Sequence, residues 1–163
     1  AVSTAQDISV QKIQLHNLGD KAYYQSDAAA PAVNGWTLTA ASADYVPKVE
    51  TPYSLNAATN FHNHYVLEQL IIPQVITKAS SDDASLSEFA EACVYVEYTI
   101  GTETFKRFTP LANLFDSSSA ATSYTFEGGN QYTLNITIGP APISFTTSVA
   151  TWADAIEKEH QQN

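Results

Sequence analysis

Residues Ser123 to Asp154 read SYTFEGGNQYTLNITIGPAPISFTTSVATWAD. Within them Tyr132, Leu134, Ile136 and Ile138 are apolar, while the interleaved Thr133, Asn135 and Thr137 are polar. Successive side chains of a strand point to opposite faces, so this parity describes a β-strand with one face to bury. Gly139-Pro140-Ala141-Pro142 interrupts it, and Ile143-Ser144-Phe145-Thr146 resumes as a second strand. Upstream, Glu127-Gly128-Gly129-Asn130 has the composition of a turn leading back to Tyr124–Phe126. The expectation is a run of consecutive hairpin elements.

Working outward, Cys93–Ile100 (CVYVEYTI) is the clearest central strand, with Val94, Val96, Tyr98 and Ile100 on one face and Glu97 on the other. Gly101-Thr102-Glu103 turns it into Phe105-Lys106-Arg107-Phe108, and Leu111, Leu114 and Phe115 are placed to plug the end of a core. Near the start, Ile8-Ser9-Val10 and Ile13-Gln14-Leu15 are out of phase. A bulge at Gln11-Lys12 restores the inward face, a device common on edge strands. Asn17-Leu18-Gly19-Asp20 reads as a turn, and Asn34-Gly35 as a turn into the strand Trp36-Thr37-Leu38. From Ala40 to His64, prolines and small polar residues suit a surface excursion with short extended pieces. Tyr65-Val66-Leu67 and Leu70-Ile71-Ile72-Pro73-Gln74 read as an apolar strand closed by its proline. Ser81 to Glu91 carries an N-cap, early acids and Leu86/Phe89 at helical spacing, which predicts a short helix.

About seven to nine short strands with at most one or two short helices predict an all-β fold, an antiparallel β-sandwich. A chain of 163 residues is long enough for one domain with its own core. We therefore expect a single sandwich domain over residues 1–152, followed by a polar tail over 153–163. The chain has no methionine and shows no signal peptide or lipobox cysteine, which reads as a processed or excised form.

Composition narrows the function. A net charge of −10, with seven lysines and arginines of which Arg107 is the only arginine, opposes binding to phosphate backbones and to anionic head groups. The longest apolar runs are far too short to span a bilayer. Cys93, the only cysteine, allows no internal disulfide and reads as a buried small hydrophobe. His62 and His64 share one side of a strand but lack acidic or cysteine partners at a metal spacing, so a solvated pair explains them better. His16 and His160 stand alone in polar surroundings. Asp82-Asp83 suit helix capping, since the alternating acids and fixed glycine of a calcium loop are missing. Gly128-Gly129 lacks the lysine of a phosphate loop, and no serine sits in a nucleophile elbow. Asn135-Ile136-Thr137 matches a glycosylation sequon by letter, on the polar parity of a strand. These readings lead to no catalytic, metal or cofactor site. Tyr23, Tyr24, Tyr45 and Tyr53 are aromatic residues of the loop-rich region that either stack on sugars as a platform or pack under the long loop.

Several segments in order resemble one known family. These are Ile8-x-Val10-x-x-Ile13-x-Leu15-x-Asn17-Leu18, Leu70-Ile71-Ile72-Pro73-Gln74, Val94-x-Val96-x-Tyr98-x-Ile100-Gly101, Phe126-x-x-Gly129-x-x-Tyr132 and the final Trp152-Ala153-Asp154. The set is similar to the fimbrillin-like proteins, subunits of Bacteroidales surface fimbriae. The resemblance implies a transthyretin-like β-sandwich and a non-enzymatic structural or adhesive subunit, without cofactor, at the bacterial cell surface. It further implies a precursor exported as an outer-membrane lipoprotein, and assembly with copies or relatives of itself by strand exchange. The assembly-strand candidates are then the N-terminal Ile8, Val10, Ile13 and Leu15 and the C-terminal Ile143, Phe145, Val149 and Trp152. Two departures stand out: shaft subunits of that family carry two such domains, and they mature by cleavage after an N-terminal arginine, whereas Arg107 lies inside a predicted strand. The alternative is a monomeric carbohydrate-binding module with Tyr23, Tyr24, Tyr45 and Tyr53 as its platform, binding a host or bacterial surface glycan.

Overall fold

The computed structural model describes residues 8–27, 33–39, 43–45, 53–55, 70–80, 89–138 and 143–151. The elements are β1 (Ile8–Leu18), β2 (Ala22–Tyr24), β3 (Trp36–Leu38), β4 (Ala43–Tyr45), β5 (Tyr53–Leu55), β6 (Gln74–Thr77), β7 (Cys93–Ile100), β8 (Glu103–Pro110), α1 (Leu111–Phe115), β9 (Ser123–Phe126), β10 (Asn130–Thr137) and β11 (Ser144–Thr151). The protein is all-β and sandwich-like, with every strand pair antiparallel. The eleven strands among the described residues exceed the seven to nine expected, because β4 and β5 are three-residue pieces that only tertiary pairing turns into strands.

One layer is a five-stranded sheet, β4-β1-β7-β8, with β5 also paired to β1. Val10, Ile13 and Leu15 of β1 stand opposite Tyr98, Val96 and Val94 of β7, and all six are buried. The pairing from Val10↔Tyr98 to Lys12↔Glu97 skips Gln11, which is the bulge the phase slip demands. It sits on a central strand rather than an edge, because β1 is bonded to β7 on one side and to β4 and β5 on the other. A second irregularity falls between Leu15 and Leu18, where Asn17 adopts φ 59. Asparagine tolerates that left-handed conformation, and its side chain donates to the Phe89 carbonyl at 2.8 Å. The expected turn at Asn17 is therefore a kink within the strand, which continues to a fully buried Leu18.

The opposing layer is divided into two-stranded ribbons, β6–β9 and β10–β11, with β2–β3 a further ribbon. The Asn34-Gly35 turn is confirmed. Both residues have positive φ, 49 and 81, and Val33 and Trp36 exchange two backbone bonds of 2.9 Å across them. Leu70 to Pro73 is not strand, and β6 begins at Gln74. Pro73, which lacks an N–H, opens the strand instead of closing it. The larger correction concerns Glu127–Asn130. β9 pairs with β6 and β10 with β11, so this turn is a crossing between ribbons and not a hairpin. Tyr132 braces the crossing: its hydroxyl accepts from the Glu127 N–H at 2.6 Å and donates to the Glu127 carbonyl at 3.3 Å.

The inner faces meet in one core, in which Val94, Val96 and Leu18 from the first layer oppose Ile76 and Phe126 from the second. Burying each such side chain contributes roughly 1.5–3 kcal/mol. Leu111 closes one end from α1, and Phe115 packs with Tyr124, Phe126 and Tyr132 at centroid distances of 5.5, 5.4 and 5.7 Å. Gln74 stitches the layers together. Its amide accepts from the Gly19 N–H at 2.8 Å and donates to the Gly19 and Ile72 carbonyls at 3.3 and 2.9 Å. Residues 81–88 of the expected helix, Tyr65-Val66-Leu67, His62, His64 and the tail from Trp152 onward lie outside the described residues; Phe89 to Glu91 are not helical.

Candidate functional site

A β-strand exposes unpaired N–H and C=O groups wherever it ends a sheet, so the outermost strands are where this molecule can meet another. Two of them differ sharply. β8, the edge of the five-stranded sheet, reads ETFKRFTP and carries Glu103, Lys106, Arg107 and Pro110. Arg107 stands opposite Val96 and Thr109 opposite Val94, so the guanidinium lies on the inner parity. Charged side chains, an inward-facing one above all, and a proline discourage further strand pairing.

β11 has none of these devices. Its sequence, SFTTSVAT, contains no charge and no proline, and it pairs with β10 over eight consecutive residues, from Asn130↔Thr151 to Thr137↔Ser144, without a bulge. Among the described residues its other side has no strand partner. On its inner parity Phe145 packs on the core and Thr147 donates to the Leu114 carbonyl at 3.0 Å, while Val149 is 47% exposed. On its outer parity Ser144, Thr146 and Ser148 lie opposite Thr137, Asn135 and Thr133, a flat uncharged ladder. β11 is thus a long, regular and neutral edge fixed from behind by α1.

The sequence candidates for assembly fall in two places. Val10, Ile13 and Leu15, with the half-buried Ile8, lie on β1, which is hydrogen-bonded on both sides and has no open edge over the residues those partners cover. Phe145 and Val149 lie on β11, Ile143 is immediately before it, and Trp152 is outside the described residues. The tyrosine platform is divided as well. Tyr23 and Tyr24 on β2 are 51% and 59% exposed, yet as neighbours they face opposite sides of the ribbon. Tyr24 keeps company with Trp36 across the ribbon, their centroids 5.3 Å apart. Tyr45 and Tyr53 belong to β4 and β5, paired with Leu15 and Val10 in a different sheet, and their side chains lie outside the described residues.

Three groups received little weight from sequence. His16 is buried against Tyr95 and Phe108, with ring centroids at 5.8 and 5.6 Å, rather than in polar surroundings. The strand parity that puts it opposite Cys93 carries that signal. Tyr95 donates to Glu97 on the same face, and burial first, then that hydrogen bond and the charge of Glu97, push the phenol up to about 12. Arg107 and Thr109 line a cavity between the edges of the layers, for which their inner parity on an edge strand is the signal. Cys93 is buried, as its neighbours indicated. Among the described residues no group of three or more His, Cys, Asp and Glu side chains could hold a metal ion, and no helix is long and apolar enough to cross a membrane. No protein-family model matches the chain, and neither the curated proteins nor the solved structures contain a significant match.

Proposed function

We propose that this protein is a non-enzymatic structural or adhesive subunit of a bacterial surface fimbria, joined to copies or relatives of itself by β-strand augmentation outside the cell. The observation that carries this reading is the contrast between a guarded β8 edge and an unguarded β11 edge. Pairing along an edge lets an extended segment of a neighbour satisfy backbone groups that otherwise face solvent, and an uninterrupted neutral strand is the best template for it. The resemblance of the ordered sequence segments to fimbrillin-like proteins supports the same reading. β11 is the preferred assembly edge, because engaging β1 requires dismantling three strand pairings first.

The test is electron microscopy and solution mass of the wild-type chain beside a Thr146→Lys/Val149→Lys variant, which puts a charge on each face of β11. Filaments or chains in the wild type that disappear in the variant, at unchanged melting temperature, are expected. A wild type that remains monomeric at high concentration, or a variant that still polymerises, removes the proposal. The exposed Tyr24 beside Trp36 favours a carbohydrate-binding module as the second reading, which glycan-array binding lost in Tyr24→Ala would support.

A further inference from the structure

β11 presents an open edge among the described residues, and the charge distribution of the chain bears on what fits against it. Residues 128–153 contain no Asp, Glu, Lys or Arg, the longest such run in a chain of net charge −10. Two copies carry the same excess charge, so they meet at least cost where that charge is missing. β10 and β11 lie wholly within the run. We propose that the partner of β11 is β11 of a second copy, paired antiparallel across a two-fold axis at Thr147, so that two β10–β11 ribbons join into one four-stranded sheet. The inference rests on the reading of β11 as the assembly edge and names its occupant.

The register follows from parity. Directly opposed residues of an antiparallel pair share a face, and a two-fold axis sets one residue against its own equivalent. With the axis at Thr147, Phe145 of each copy meets Val149 of the other. Phe145 packs on the core whereas Val149 is 47% exposed, so the pairing covers an apolar side chain that a single copy leaves in water. Aromatic and β-branched residues are favourable cross-strand neighbours. On the outer face Thr146 meets Ser148 and Ser144 meets Ala150, all of them small and uncharged. An axis at Ser148 instead sets Val149 against Thr147 and Phe145 against Thr151. An axis at Thr146 confines the pairing within the strand to Ser144–Ser148 and leaves Val149 beyond it.

A two-fold contact closes after two copies. The dimer therefore holds the edge until a fimbrial neighbour takes it. One strand pair is a contact at the small end of interfaces, which makes the dimer reversible.

Disulfide trapping reads the register. Thr146→Cys and Ser148→Cys, both exposed on the outer face, are prepared in the full chain, whose native Cys93 is buried. Opposed residues have Cα atoms roughly 4.5–5.5 Å apart, within disulfide reach, while diagonal ones stand at about 7–8 Å, beyond it. Mild oxidation of an equimolar mixture is expected to give several-fold more linked dimer than either variant alone, with both variants melting as the wild type does. Sedimentation of the wild type is expected to show a dimer whose share rises with salt, as screening removes the repulsion between two acidic copies. Stronger linkage of either variant alone places the axis at that residue and overturns the Thr147 register, and a dimer share that falls with salt overturns the neutral interface. Filaments that are lost in Thr146→Lys/Val149→Lys, beside a mixture that stays unlinked, keep β11 as the assembly edge and overturn its self-pairing. Linked dimers without filaments support the pairing and remove the fimbrial reading. A monomeric wild type with no linkage overturns both.

Discussion

The two layers of this sandwich are built on different terms. In the five-stranded sheet, β1 and β7 are hydrogen-bonded on both sides, and the first half of β7 is buried on both faces: Val94 and Val96 inside, Cys93 and Tyr95 outside. In the opposing layer each ribbon has only two strands, and the inner residues of β10, Tyr132, Leu134 and Ile136, are half-buried. A two-stranded ribbon is marginal by itself and depends on what it packs against. The first layer therefore supplies most of the buried apolar surface, while the second supplies neutral backbone edges. The difference teaches that, in this molecule, stability and availability for pairing are assigned to separate sheets.

The largest expected effect tests that division directly. Leu18→Ala removes a fully buried side chain of β1 in the first layer, so a loss of about 3–5 kcal/mol is expected in denaturant unfolding. Leu134→Ala, on the half-buried β10, should cost less than half as much. Equal losses would mean that both layers are energetically integral to the core, and the comparison would fail. Next comes Gln74→Leu, which leaves the buried Gly19 N–H and carbonyl without their amide partner. A cost of about 2–3 kcal/mol is expected in the same assay, because each orphaned group costs roughly 1–3 kcal/mol. A near-neutral result would show that the layers are held by apolar packing alone.

What could be read in advance follows the range of the interactions involved. The limits of β7 and its tight turn to β8 at Gly101-Thr102, the bulge at Gln11 and the Asn34-Gly35 turn are local matters of parity and backbone conformation, and they stand as expected. The partners of β9 and β10 are not local. Their linker has the composition of a hairpin turn, and only the preference of β9 for β6, fifty residues upstream, makes it a crossing. The same holds for the site. The neutrality of β11 is written in SFTTSVAT, but its position at an edge depends on which strands pair with it among the described residues. His16 looked polar in sequence because its neighbours Gln14 and Asn17 are polar, whereas Tyr95 and Phe108, which enclose it, come from β7 and β8.

Tyr132→Phe is a smaller perturbation aimed at the crossing. Removing the hydroxyl that the Glu127 N–H and carbonyl share should cost about 1 kcal/mol, the usual net worth of such a bond, with the exposed backbone regaining water. Hydrogen exchange should quicken at residues 127–130 and remain unchanged in β7. Faster exchange in β7 would show that the ribbons and the large sheet open together, against the proposed division.

The last comparison, Tyr95→Phe, is read in the alkaline range. Tyr95 is 7% exposed on the outer face of the large sheet, and burial, its bond to Glu97 and the charge of Glu97 raise its pKa to about 12. The unfolded chain loses this proton near the ordinary value of 10 while the folded protein retains it. The unfolded state therefore binds fewer protons between these values, and stability must fall as pH rises from about 10 to about 12. Below pH 10 both states are protonated and the contribution is intact. Tyr124, in the second-layer ring cluster, is also raised, by burial first and then by Tyr132, Glu127 and Asp116, and it adds a fall of the same sign. The measurement is unfolding free energy against pH for wild type, Tyr95→Phe and Tyr124→Phe. Tyr95→Phe is expected to flatten the alkaline fall more than Tyr124→Phe, because Tyr124 is only half-buried where Tyr95 is enclosed. An equal flattening would place the outer face of the large sheet and the ribbon cluster in equivalent environments, and the two layers would then differ in their edges but not in their interiors.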